Sequence, residues 1–160
     1  MPMAEKFVVD RMLGRLAKAL RMLGYDTIYY RGNDPEELLR MARMEGRLIL
    51  ARPARRTEIS TQEPMVLVKE DRVALQLREL LQTGILSPSR ERPFSRCLLC
   101  NAPLDEIPCA EAEGRVPEFV FHHVREFFRC PECHRIYWKG SHQHHMRTQI
   151  EDLIHPAEEA

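Results

Sequence analysis

The clearest chemistry in the sequence lies in four cysteines arranged as two matched pairs, Cys97-Leu98-Leu99-Cys100 and Cys130-Pro131-Glu132-Cys133, with 29 residues between them. Each CxxC turn presents two thiolates on one side of a tight bend, and two such turns complete a tetrahedral sulfur site suited to structural Zn2+. An iron–sulfur cluster also takes four thiolates, and spacing leaves it open. A redox CxxC rarely comes as a pair of pairs, and disulfides suit a secreted chain. Asn101 and His134 follow the second cysteine of each pair, and both residue types tolerate the left-handed backbone often needed there. Cys109 is left over as a free thiol.

A second cluster follows Tyr137-Trp138-Lys139-Gly140-Ser141, where His142, His144 and His145 crowd together. Ser141 is a good N-cap for a last helix running to about Leu153. His142 and His145 then share a helical face, either as a second metal site or as an exposed polar turn. The remaining candidates are acids at predicted strand ends and helix starts. Asp10 closes the β-branched run Lys6-Phe7-Val8-Val9, and Asp34 opens a helix.

The elements that must position these residues are legible from periodicity. After the strand at 6–9, a helix from about Met12 to Leu23 puts Leu13, Leu16, Leu20 and Leu23 on one face and Arg11, Arg15, Lys18 and Arg21 on the other. Gly24 stops it. Asp26–Tyr30 is a second strand. Asp34-Pro35-Glu36-Glu37 then combines an N-cap acid, Pro at the first helical position and Glu three residues after the cap, predicting a helix to Gly46. Arg47–Ala51 and Met65–Val68 read as strands, Arg52–Pro64 as a loop with the Arg55-Arg56 pair, and Asp71–Gln82 as a third helix. Strands alternating with helices over short links predict an open parallel α/β sheet covered by helices. Ligands of such sheets sit beyond the carboxyl ends of the strands. No glycine-rich phosphate loop is present, which disfavours a nucleotide-cofactor enzyme.

Thr83–Phe94, with Gly84, Pro88 and Pro93, reads as a linker. The expected organisation is an α/β domain at 1–90, a zinc-ribbon domain at 91–155 and an acidic tail at 156–160. In the second part, 116–125 predicts a short helix, and 126–129 and 135–139 predict strands. Seventy residues bury little apolar surface without a staple such as zinc.

The 160 residues carry 24 basic and 24 acidic side chains, and Arg outnumbers Lys 20 to 4. The zero net charge is a cancellation. Residues 1–90 carry 16 basic and 12 acidic groups, whereas 91–160 carry 8 and 12. Neutrality therefore excludes indiscriminate coating of nucleic acid but leaves localised contact through arginines open. No 18-residue apolar run crosses a membrane. Met1–Glu5 lacks the layout of a secretory signal, so the expected location is cytoplasmic.

The stretch Val9-Asp10-Arg11-Met12-Leu13-Gly14-Arg15-Leu16-Ala17, followed by Leu20-Arg21-Met22-Leu23-Gly24-Tyr25-Asp26, resembles the Mut-7-type C-terminal RNase domain family. The second half carries the resemblance through Ser95–Leu104, Arg115-Val116-Pro117, and Phe128–Pro131 on to Tyr137–His142. It implies a PIN-like nuclease fold, an open parallel sheet flanked by helices, followed by a small zinc-ribbon domain. It further implies a metal-dependent ribonuclease in which Asp10, Asp34 and Glu37 are catalytic and Asp10 and Asp34 hold Mg2+ or Mn2+. Arg11, Arg15, Lys18, Arg21, Arg52 and His142 become RNA-binding candidates, and the acidic second half a surface for a protein partner.

One departure bears on activity. The family ends its third strand with Thr-Arg-Asp, whereas this chain has Ala51-Arg52-Pro53. Pro53 cannot ligate a metal through its side chain. Glu70 or Asp71 is a substitute from the next strand's end, although Asp71 equally suits an N-cap. The alternative expectation is therefore a catalytically degenerate, PIN-like RNA-binding or adaptor protein.

Overall fold

The computed structural model describes residues 5–59, 62–87 and 95–138. Its first part alternates β1 (Lys6–Val9), a 3-10 turn (Arg11–Leu13), α1 (Gly14–Met22), β2 (Asp26–Tyr29), α2 (Pro35–Glu45), β3 (Leu48–Ala51), a second 3-10 turn (Pro53–Arg55), β4 (Met65–Leu67) and α3 (Val73–Gln82). The four strands form one sheet in the order β2-β1-β3-β4, and every pairing is parallel. The chain is thus α/β, with a parallel sheet flanked by helices and a cysteine cluster beyond it.

Alternation along the strands explains the layering. Phe7 and Val9 of β1, with Leu48 and Leu50 of β3, face a core shared with Leu13, Leu16, Leu20, Leu77 and Leu80 of the α1–α3 side. Val8 and Ile49 point the other way, against Leu38, Leu39 and Ala42 of α2. Because both faces are covered, β3 is buried at all four positions. Truncating a fully buried leucine such as Leu20 to alanine in such a core costs about 2–5 kcal/mol.

The helix ends follow local rules. Gly46 closes α2 in the left-handed conformation (φ 65°). Asp34 caps its start, accepting a hydrogen bond from the Glu36 N–H at 3.0 Å. Asp71 does not cap α3. The N-cap is Arg72, whose side chain makes no capping bond, while the Asp71 carboxylate pairs with Arg52.

The second part holds β5 (Asp105–Ile107), α4 (Cys109–Ala112), α5 (Glu118–His123), β6 (Phe127–Arg129) and β7 (Ile136–Trp138). The strands form an antiparallel sheet in the order β5-β6-β7. The sequence reading missed β5 and α4, which are short and carry little periodicity. Residues 88–94, at the expected domain boundary, lie outside the described residues, as do the segment expected to form a last helix, His142, His144, His145 and the expected acidic tail. Among the described residues, no helix is long and apolar enough to cross a membrane.

The two parts share one core. Cys97, Leu98, Ala102, Cys130 and Tyr137 pack in the same buried cluster as α1, β1 and α3. Polar contacts fix the seam. Asn101 accepts the Thr27 N–H through Oδ1 at 2.9 Å and donates from Nδ2 to Asp26 Oδ1 at 2.7 Å. Arg21 donates to the carbonyls of Thr27 and Leu98, both at 2.8 Å. Asp26 Oδ1 also receives the nearly buried Arg47 at 2.8 Å, and Arg96 approaches Oδ2 at 3.8 Å.

Burial works against the Asp26 carboxylate, but hydrogen bonds from Arg47 and Asn101 and the charges of Arg47 and Arg96 outweigh it and lower its pKa. A depressed folded-state pKa contributes stability that is present above the unfolded value, about 3.9, and is lost as pH falls through the folded value. Thermal unfolding of Asp26→Asn is expected to show a flatter decline below about pH 4 than the native chain. At neutral pH the variant should be less stable by roughly 1.5–3 kcal/mol, the scale of a charge-assisted hydrogen bond. Parallel acid limbs in native and variant would show that Asp26 does not carry the linkage.

Candidate functional site

Two sites emerge, at opposite edges of the parallel sheet. Asp26 begins β2 and Asp10 follows the last residue of β1, so in a parallel sheet they mark opposite edges. The cysteine knuckle sits by the former, and the sequence-predicted acids lie at the carboxyl edge.

The four sulfurs of Cys97, Cys100, Cys130 and Cys133 lie within 4.8 Å of one another. Asn101 and His134 adopt the expected left-handed backbone, both with φ 65°. The turns aim amides at the sulfurs: Cys100 N–H donates to Cys97 Sγ and Cys133 N–H to Cys130 Sγ, both at 3.4 Å. The Tyr137 hydroxyl and Cys97 Sγ share a hydrogen bond at 3.0 Å. Burial opposes ionisation of Cys97, but hydrogen bonds from Tyr137 and the amides of Cys100 and Leu99 outweigh it, bringing the thiol down to about 7. Burial, the hydrogen bond with Cys133 and the charge on Cys97 push Cys100 up to about 12. Thiolates this close repel one another, and a divalent ion among them removes that penalty. The donor set, the spacing and the amide–sulfur bonds fit Zn2+. Cys109 stands apart on α4, exposed, its thiol donating to the Arg125 carbonyl at 3.0 Å.

At the carboxyl edge, Asp10 is fully buried. It precedes the first 3-10 turn, yet its carboxylate caps nothing, and the backbone carbonyl alone receives the Leu13 N–H. Asp10 Oδ2 accepts from Arg55 Nε at 2.8 Å, and Oδ1 is buried without a hydrogen-bond partner among the described residues. Arg55 is itself buried and also bridges to Glu58.

Asp34 and Glu37 are held locally. The Tyr30 hydroxyl accepts from Asp34 N–H and donates to Glu37 Oε2, both at 3.0 Å, so the reciprocal capping contact runs through a tyrosine. Among the described residues, the four cysteines are the group in which three or more possible ligand atoms come within ligating distance. Asp10, Asp34 and Glu37 are not brought together as such a group. With Pro53 exposed and side-chain donors lacking there, this set does not fit a catalytic Mg2+ or Mn2+.

The predicted RNA contacts divide. Arg11, Arg15 and Lys18 are exposed on the first 3-10 turn and α1, with Arg11 donating to Asn33. Arg21 is directed to the seam, and Arg52 ties β3 to the end of β4 through the carbonyls of Val68 and Glu70 and the carboxylate of Asp71. Gly14 has a packing reason: a Cβ there would lie 2.9 Å from the Tyr29 hydroxyl, which donates to the Arg11 carbonyl at 2.7 Å. Residues that the sequence reading did not single out include Tyr30, Glu58 and Arg72. Arg72 lines a groove of about 540 Å3, with Met12, Gly14, Arg15, Asp71 and Gln76, between the starts of α1 and α3.

The family model described as Mut7-C RNAse domain matches residues 5–150. No curated protein matches the chain.

The knuckle geometry gives a direct test. Metal analysis of the purified chain is expected to find one zinc per molecule, and iron in its place would overturn the assignment. Chelation or Cys130→Ser should release the Asn101 side chain and lower the melting temperature. Hydrogen exchange at the Thr27 amide should then accelerate more than at Asp10, whose N–H is bonded inside the sheet to Leu50 at 2.9 Å.

Proposed function

The chain belongs to the Mut7-C RNAse domain family, and from there we propose that it binds RNA along the groove between α1 and α3, as a ribonuclease-type domain that has become a binding protein. The observation that carries this reading is the groove itself. It lies beside the carboxyl end of β1, with Arg15 and Arg72 in its lining and Arg11 next to it. The first turns of α1 and α3 also contribute to the lining, and neither helix has a side-chain cap. Helix N-terminal turns and arginines together favour phosphate groups of a nucleic-acid backbone.

The acids speak for binding rather than hydrolysis. Each of the three carboxylates has a protein partner, and Pro53 supplies no donor. The competing reading, metal-dependent hydrolysis, is favoured by the buried Asp10 oxygen without a partner at the end of a central strand. Zinc in the cysteine knuckle has a structural role in this reading, since the knuckle packs at the opposite edge from Asp10.

Fluorescence anisotropy with a labelled RNA is expected to show salt-sensitive binding. Arg15→Ala/Lys18→Ala should weaken it and reduce the slope of log K against log salt by about 0.7 per lost phosphate contact. Native chain and Asp10→Asn should alike give no cleavage product in Mg2+ or Mn2+. A product that requires Mn2+ and disappears in Asp10→Asn would restore the hydrolytic reading.

A further inference from the structure

Arg55 is the unexpected member of the carboxyl edge. Arg52, immediately before Pro53, is extended (φ −80°, ψ 151°), as a residue preceding proline prefers. Pro53 then begins a 3-10 turn, closed by Arg55 N–H to the Arg52 carbonyl at 2.9 Å and Arg56 N–H to the Pro53 carbonyl at 3.1 Å. Ile59 N–H bonds the Arg55 carbonyl at 2.9 Å, and Ile59 is fully buried. The turn carries Arg55 into the protein, where its side chain is only 4% exposed. There its Nε meets Asp10 and its other end meets Glu58.

We infer that Arg55 is the resident cation of this site: its guanidinium, bracketed by Asp10 and Glu58, occupies the Oδ2 side of Asp10 and supplies there the positive charge that an ion held by both oxygens would supply. Two independent features carry this. An ion ligated by Asp10 Oδ2 must displace the Arg55 Nε that lies 2.8 Å from it. In addition, the second Asp10 oxygen is buried and unpartnered. A carboxylate built only for an ion pair ordinarily has both oxygens satisfied. One satisfied oxygen and one bare oxygen is the pattern of a ligand position with a substitute cation on half of it.

The sequence change at residue 53 then has two consequences with one cause. Proline removes a possible carboxylate donor and starts the turn that delivers a guanidinium instead. Charge at the buried Asp10 is balanced either way, but a guanidinium does not exchange with solvent, whereas an ion does. The inference rests on the binding reading in giving Asp10 no hydrolytic role. Its readout, ion uptake, is separate from RNA affinity.

The test is a Mn2+ titration of the zinc-loaded full chain, following the paramagnetic resonance signal of free Mn2+. Native protein and Asp10→Asn are expected to give superimposable titrations. Arg55→Ala/Pro53→Asp, with the guanidinium removed and an acid restored, should bind Mn2+ more tightly than native by about tenfold or more. Adding Asp10→Asn to that variant should abolish the gain. An Mn2+ equivalent in the native chain that Asp10→Asn removes would overturn the inference. So would a double variant that is folded by circular dichroism and gains no uptake. If the double variant does not fold, Arg55→Gln decides, since it keeps Pro53 and its turn while removing the guanidinium: Asp10-dependent Mn2+ uptake should exceed native, and a folded Arg55→Gln chain with no gain would overturn the inference.

Discussion

The outer edge of β2 is the constraint around which the two parts are joined. An edge strand presents unpaired amides and carbonyls, and an open edge invites pairing with another chain. Here the outward N–H of Thr27 meets the Asn101 side chain, and its outward carbonyl meets Arg21. Asn101 holds the left-handed position after Cys100 while its amide group reaches both Thr27 and Asp26. One residue thus serves the turn that shapes the metal knuckle and the closure of the sheet edge. Arg21 extends the clasp to the Leu98 carbonyl between the first two cysteines. Metal binding, sheet closure and the α1 core are consequently coupled through a few short hydrogen bonds.

This coupling changes the meaning of the zinc ribbon. A module hung on a linker would contribute its own surface to a ligand. This knuckle is buried against α1 and α3, with Cys97 and Cys130 fully inside the common core. Small cysteine-stapled folds bury little apolar surface alone. Here the deficit is met partly by leucines of the neighbouring α/β layer, and the knuckle in turn covers an edge those leucines cannot.

Much of the architecture was legible in the sequence because it rests on local rules. Leucines at helical spacing marked α1, the Asp34-Pro35 start marked α2, and β1, β3 and β4 came from short apolar runs. The cysteine spacing and the left-handed Asn101 and His134 were equally readable. The seam and the Asp10 environment were not. Asp26 and Asn101 are 75 residues apart, Asp10 and Arg55 are 45 apart, and neither pair has a periodic signature. Arg21 shows why. It belongs to the polar stripe of α1 by angle, yet it stands at the margin of that stripe in the last turn, where the knuckle packs. Periodicity assigns a face, but only the tertiary neighbour says whether that face meets solvent. A signal for Arg55 did exist: Pro53 opens a turn, and Arg55 and Ile59 are spaced four apart like two residues on one inward face.

In the proposed binding reading, the carboxyl edge keeps the layout of a metal site while its charge is balanced from within the chain. Asp10 remains at the end of a central strand, buried by the same layers that would bury it in a metal site. Burying an unpaired carboxylate is costly enough that some positive group must accompany it. An ion meets that requirement only if other donors share its coordination, and at the start of α2 the Asp34 carboxylate is held by the Glu36 N–H and that of Glu37 by the Tyr30 hydroxyl. Arg55 meets it within the chain, with Glu58 on its outer side. In the proposed binding reading the counter-charge of Asp10 is internal, and Arg11 and Arg15, exposed beside it, are the groups that present positive charge to phosphate.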